Sequence, residues 1–151
     1  MSEMLANQYF LARKFDKAIP HLESVIKEDP QNERARKKLI ICYCETGHVR
    51  FALELFSNVI KDNIKLLVDT DIVQEDCPCP ELVERMKWYE EVAVNSFDFH
   101  CILGMLNLYC DIHDSLKSFQ QALNINPADK LVKDIYDTIA RYEAEHIEKH
   151  N

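Results

Sequence analysis

Reactive residue types crowd most closely at Asp76-Cys77-Pro78-Cys79-Pro80. Two thiols flanked by prolines could ligate a metal, with Cys101, Cys110, His100 or His113 as distant donors. The spacing opposes this. Structural zinc sites favour two or more residues between paired cysteines, and no second pair lies at zinc-site spacing. A dithiol redox pair also prefers the two-residue gap that lets both sulfurs meet without strain. A rigid turn that starts a helix at Pro80 is the simpler reading, so no metal or other cofactor is expected. A metal or thiol-redox protein centred on Cys77 and Cys79 is the lesser alternative. Cys42 and Cys44 are also two apart, but on a helix that spacing turns their side chains about 200° from each other, and both read as packing residues.

Nucleophilic catalysis would need a Cys or Ser near a His with an orienting acid, and phosphate chemistry a glycine-rich loop. Neither pattern is present: Gly47 and Gly104 are the only glycines, and the Glu90-Glu91 pair reads as solvated charge on a helix face. Enzyme activity is not expected. The run Glu33-Arg34-Ala35-Arg36-Lys37-Lys38 is more suggestive. It places four cations in the first turns of a helix, where the macrodipole favours anions, at a cost of roughly a few tenths of a kcal/mol each. Such a run would suit an acidic peptide or a carboxylate; a solvated charged face is the competing reading.

These residues sit in a chain of 151 residues, one domain long and able to bury a core without disulfides. With 2 glycines and 5 prolines it lacks the tight turns of a sandwich or barrel, which leaves an all-α fold. A formal charge of −8 argues against nonspecific nucleic-acid binding, which leaves room for a local basic patch. No apolar run is long enough to span a membrane, and the opening MSEMLANQYF lacks the layout of a signal peptide. A cytoplasmic protein with 6 reduced cysteines is therefore expected.

The spacing of apolar residues gives the positioning elements. Leu5, Ala6, Tyr9 and Phe10 form one stripe; Phe15, Ala18, Ile19, Leu22, Val25 and Ile26 form another. The short break Ala12-Arg13-Lys14 makes the two helices antiparallel, and Asp29-Pro30 ends the second, because a residue before proline avoids the α region. The layout returns 34 residues later, with Leu39, Tyr43, Ala52, Phe56, Val59 and Ile60 in the places of Leu5, Tyr9, Ala18, Leu22, Val25 and Ile26. Thr46-Gly47-His48 makes the second turn. Ile40 replaces the small Ala6, which predicts that the second pair separates or tilts at its crossing.

A pair of this kind at this period resembles the tetratricopeptide repeat family, on Leu5, Ala6, Tyr9, Ala18 and Pro30 in the first unit and Leu39, Tyr43, Gly47 and Ala52 in the second. The resemblance implies a right-handed superhelix of about four helix pairs, with units near 1–32, 33–64, 65–97 and 98–127. The unit at 65–97 is degenerate: Ile64 to Val73 reads as irregular, and Pro80 to Asn95 as a helix with Leu82, Met86, Tyr89 and Ala93 on one face. In the last unit Leu103-Gly104 opens the crossing, Ser115 takes the small-residue place and Asp111-Ile112-His113 makes the turn. A capping helix over about 128–149 follows, with Leu131, Ile135, Ile139 and Tyr142 on one face and a frayed tail.

In this family the first helix of each unit lines a concave groove. The resemblance therefore implies a noncatalytic scaffold that binds a peptide or helix of another protein through Asn7, Phe10, Leu11, Arg34, Lys37, Ile41, Cys44, Met105, Leu108 and Tyr109. Leu11 and Leu108 could equally be buried under neighbouring helices. Family members that clamp acidic chaperone tails use a lysine and asparagine, a second asparagine and a basic set. Asn7 fits that pattern, but Glu3, Lys38, Asp98 and Ile102 do not, so that function is not implied. A structural subunit that self-associates through an exposed hairpin face is the alternative, and neither a membrane nor a nucleic acid is an expected partner.

Overall fold

A computed structural model describes residues 2–150, with side chains described for 3–146. Among the described residues all regular structure is helical. Contacts divide the chain into two compact units, Met1–Phe56 and Ser57–Asn151.

The first unit contains α1 (Ser2–Leu11), α2 (Phe15–Glu28), α3 (Glu33–Glu45) and the start of α4 (Val49–Asn63). Ala6, Ala18 and Ala52, the small residues of the repeat, are fully buried, and so is Ile40, where the pattern put a larger side chain. Both turns use one device. Arg13 and Gly47, one period apart, have φ of 59° and 80°. In each turn the next N–H reaches back five residues, from Lys14 to the Tyr9 carbonyl at 2.8 Å and from His48 to the Tyr43 carbonyl at 2.9 Å. This is a Schellman closure, in which one residue beyond the helix must enter the left-handed region. Glycine does so freely and arginine against a steric cost. Gly47→Ala is expected to lower stability by about 1 kcal/mol through the backbone alone, since nothing lies within 4 Å of an added Cβ. Arg13→Gly should move stability the other way by a smaller amount. Urea denaturation of the two variants checks both signs.

Asp29 is extended at φ −135°, ψ 87° and stops α2 before Pro30. Asn126 adopts nearly the same backbone, φ −133°, ψ 81°, before Pro127. Asn32 then caps α3, its side chain accepting from the Ala35 N–H at 3.0 Å.

The second unit holds the rest of α4, then α5 (Lys65–Val68), α6 (Cys79–Lys87), α7 (Phe97–Asn107), α8 (Ile112–Ile125) and α9 (Lys130–His150). The pairing of α7 with α8 centres on Gly104. An added Cβ there would stand 2.7–2.8 Å from the ring of Phe119, which is wholly buried. Ser115 is buried as well, and its hydroxyl donates to the Gly104 carbonyl at 2.6 Å. The turn between the two helices falls at 108–111, earlier than the sequence pattern indicates. Asp111 is the N-cap of α8, accepting from the His113 N–H at 2.9 Å, so Ile112 and His113 already belong to the helix. The α9 helix packs on α8 through a stripe of Val132, Ile135 and Ile139. Lys61 and Asp134 form an ion pair between α4 and α9 at 2.6 Å. The backbone of α9 continues to His150; in the tail expected to fray, the side chains of 147–150 lie outside the described residues.

The irregular stretch is short helix and turn: α5 is a single turn, and 69–78 contain no helix. Asp76 has φ 49° just before the cysteine-proline run. Downstream the structure corrects the helix expected to Asn95, because α6 ends at Lys87. Val92, Val94, Asn95 and Ser96 favour a helix poorly. Ser96 also serves as the N-cap of α7, accepting from the Phe99 N–H at 3.1 Å. Tyr89 is therefore exposed instead of lining a buried face with Leu82.

Candidate functional site

The first helices of the first unit, α1 and α3, carry seven of the ten residues implied as partner-binding. Three of these are accessible or partly so: Leu11 is 58% exposed, Arg34 is exposed and Asn7 is half-buried. Phe10, Lys37, Ile41 and Cys44 are buried. In the second unit Met105, Leu108 and Tyr109 are also buried. Of the two leucines that could have lain under neighbouring helices, Leu108 does and Leu11 does not. The physical reason for the burial is visible in α3, where Ala35 to Lys37 and Leu39 to Cys44 are all buried. A helix buried over most of its surface packs its neighbours with the same apolar residues that a periodicity reading would give to a groove.

The basic run is likewise divided. Arg36 and Lys37 are buried charged residues, whose aliphatic stems suit an apolar surround. Lys38 is half-buried; its Nζ donates to Asn7 Oδ1 at 2.6 Å and stands 5.7 Å from the centre of the Phe10 ring. That leaves Arg34 as the exposed cation of the four. The Asn7–Lys38 bond was not foreseen. It could have been: one period from Asn7 falls at residue 41, so a long side chain one helical turn earlier is within reach.

Two further bonds fix the helices that present these residues. Tyr43 Oη donates to Glu23 Oε2 at 2.6 Å, tying α3 to α2. Burial first, and then this bond to the carboxylate, push the Tyr43 phenol well above its ordinary range. Asn32 Nδ2 donates to Glu3 Oε1 at 3.4 Å at the start of α1.

The cysteines form a different picture. Cys42, Cys44, Cys79 and Cys101 are buried, Cys77 is half-buried and Cys110 is exposed. Burial pushes the Cys42 thiol up to about 12. Desolvation pushes Cys110 up to about 11, with Cys77 and the Asp111 carboxylate adding to the effect. Among the described residues no three His, Cys, Asp or Glu side chains gather where they could hold a metal. Because the thiolate is the reactive form, Cys110 at neutral pH should alkylate on the order of a hundredfold more slowly than an unperturbed thiol. Cys42 should stay unmodified until the chain unfolds. Timed iodoacetamide labelling with mass spectrometry reads both rates.

The hairpins of the first unit, closed by left-handed turns one period apart, define a helical-repeat protein. Residues 9–63 are similar to the tetratricopeptide repeat, the description of the family model that matches them. Neither a curated protein nor a solved structure matches the chain. No helix among the described residues is long and apolar enough to cross a membrane.

Proposed function

We propose that this chain is a noncatalytic interaction module that holds a peptide segment or helix of another protein along the first helices of its repeats. The observation that carries this reading is the match to a tetratricopeptide repeat over 9–63, together with α1 and α3, on which Leu11 and Arg34 are exposed and Asn7 is half-buried. Leu11 supplies an apolar contact, and Arg34 a charge for an acidic side chain or a terminal carboxylate. Asn7 orients the partner's polar groups. Phe10, Lys37, Ile41 and Cys44 back these contacts from within the core of the first unit.

The partner is obtained by native affinity purification, and its binding to purified protein is measured by calorimetry. The double variant Leu11→Asp/Arg34→Glu is expected to weaken binding by about tenfold or more, with the helical circular dichroism unchanged because both residues are exposed. Unchanged affinity would overturn the assignment.

A second reading, a self-associating scaffold, is favoured by Phe51. It is exposed on α4 and joins an aromatic cluster with Tyr43 and His48 at 5.7 and 6.2 Å. Sedimentation separates the two: a groove binder keeps its mass on concentration, and a scaffold gains mass that Phe51→Ser abolishes.

A further inference from the structure

Residues 88–96, which join α6 to α7, are ordered by their own hydrogen bonds. The N–H groups of Trp88, Tyr89 and Glu90 donate to the carbonyls of Arg85, Met86 and Lys87 at 3.2, 3.0 and 3.2 Å. Those of Ala93 and Ser96 donate to Tyr89 and Ala93, both at 2.9 Å. At the far end the ring of His100 is buried, and its Nε2 lies 2.8 Å from the Val94 carbonyl. A carbonyl can only accept, so Nε2 is the donor, and the last exposed apolar residue is pinned to α7.

On this anchored segment the apolar side chains point into solvent. Trp88 is 76%, Tyr89 59% and Val92 90% exposed, and Val94 is exposed too. Tryptophan is on average among the more buried residues, so its exposure beside three further large apolar residues within seven positions marks a contact surface. Tryptophan and tyrosine are also the types that most often dominate binding energy, and a pre-ordered segment loses little freedom on docking.

Charge identifies the occupant. Glu90 and Glu91 are exposed between Tyr89 and Val92. Along the sequence, residues 69–98 hold nine Asp or Glu against two Lys or Arg, the exposed Arg85 and Lys87, a net −7 out of the chain's −8. Such a surface repels phosphates and anionic lipid headgroups, and it repels a second copy presenting the same face. It attracts cations and rewards apolar contact at the same place.

We propose that residues 88–94 are a docking site for a segment of a second protein in which Lys or Arg flanks an aliphatic or aromatic residue. The apolar residue packs on Trp88, Tyr89 and Val92, and the cations meet Glu90 and Glu91. This goes beyond the reading above, because it uses none of its residues and calls for a partner of opposite charge.

The test is selection of a displayed random dodecapeptide library on the immobilised full chain, with counter-selection on the Trp88→Ser/Tyr89→Ser variant. The expected result is a pool enriched in Lys or Arg next to Leu, Ile, Phe or Trp. Synthetic peptides from that pool should bind the double variant about tenfold or more weakly. Glu90→Gln/Glu91→Gln should weaken binding and flatten its salt dependence. Leu11→Asp/Arg34→Glu should leave it unchanged, so failure here and failure of the groove reading are separable. A pool with no basic enrichment, an acidic pool, or equal binding to the double variant overturns the proposal. So does sedimentation showing a dimer that Trp88→Ser abolishes, or Trp88-dependent binding to phosphatidylserine vesicles.

Discussion

Alanine in place of Ile40 is expected to cost about 2–5 kcal/mol, the range for truncating a fully buried large aliphatic side chain. The repeat pattern taken alone points the other way, because Ile40 stands one period after Ala6, where the family places a small residue. Burial decides the sign. Ile40 is completely enclosed, and residues 39 to 44 of α3 are buried together. With the residues around it buried as well, the site cannot collapse fully into the gap. Urea denaturation followed by circular dichroism should show a lower midpoint with little change in slope. A gain in stability would mean that Ile40 is an overpacked departure from the repeat rather than part of its core.

The second large effect concerns the crossing of α7 and α8. Gly104→Ala should lower stability by about 1–3 kcal/mol, because one added methyl overpacks the crossing. That methyl would sit 2.7 Å from the Phe119 ring, which is buried and cannot swing into solvent. The cost is expected to fall in the Gly104→Ala/Phe119→Leu double variant, giving the non-additivity of two residues that share one space. Additive losses would show that the helices part freely at this point. Ser115→Ala tests the same contact from the other side. It removes the donor to the Gly104 carbonyl and should cost about 1 kcal/mol.

Much of this framework was legible before any coordinates, for reasons that individual residues make plain. Ala18, Ala52, Leu22 and Phe56 recur at the period, and all are buried. The stop at Asp29 followed from proline sterics, and the turn at Gly47 from glycine's freedom at positive φ. Arg13 shows the limit of such reasoning: it adopts the same left-handed conformation without the residue type that announces it. The end of α6 is hard to see in sequence because Tyr89 and Ala93 continue the apolar stripe of Leu82 and Met86, although Tyr89 is exposed. The turn expected at Asp111 to His113 lies at 108–111, since the capping side chain of Asp111 looks in sequence like any turn aspartate. The binding residues were the least legible part. In stacked hairpins a first helix is apolar towards its own partner and towards the adjacent pair. Periodicity alone therefore does not tell Phe10 and Ile41, which are buried, from Leu11, which is open.

The same distinction makes the central claim testable on single side chains. A photoreactive phenylalanine analogue is introduced in turn at Leu11, Arg34, Phe51 and Ile125, four exposed positions, and each protein is irradiated in its native cell extract. An interaction module that uses the first helices of its repeats should crosslink one and the same foreign protein from positions 11 and 34 and not from 51 or 125. Crosslinks confined to 51 or 125, or joining only copies of this chain, would contradict it.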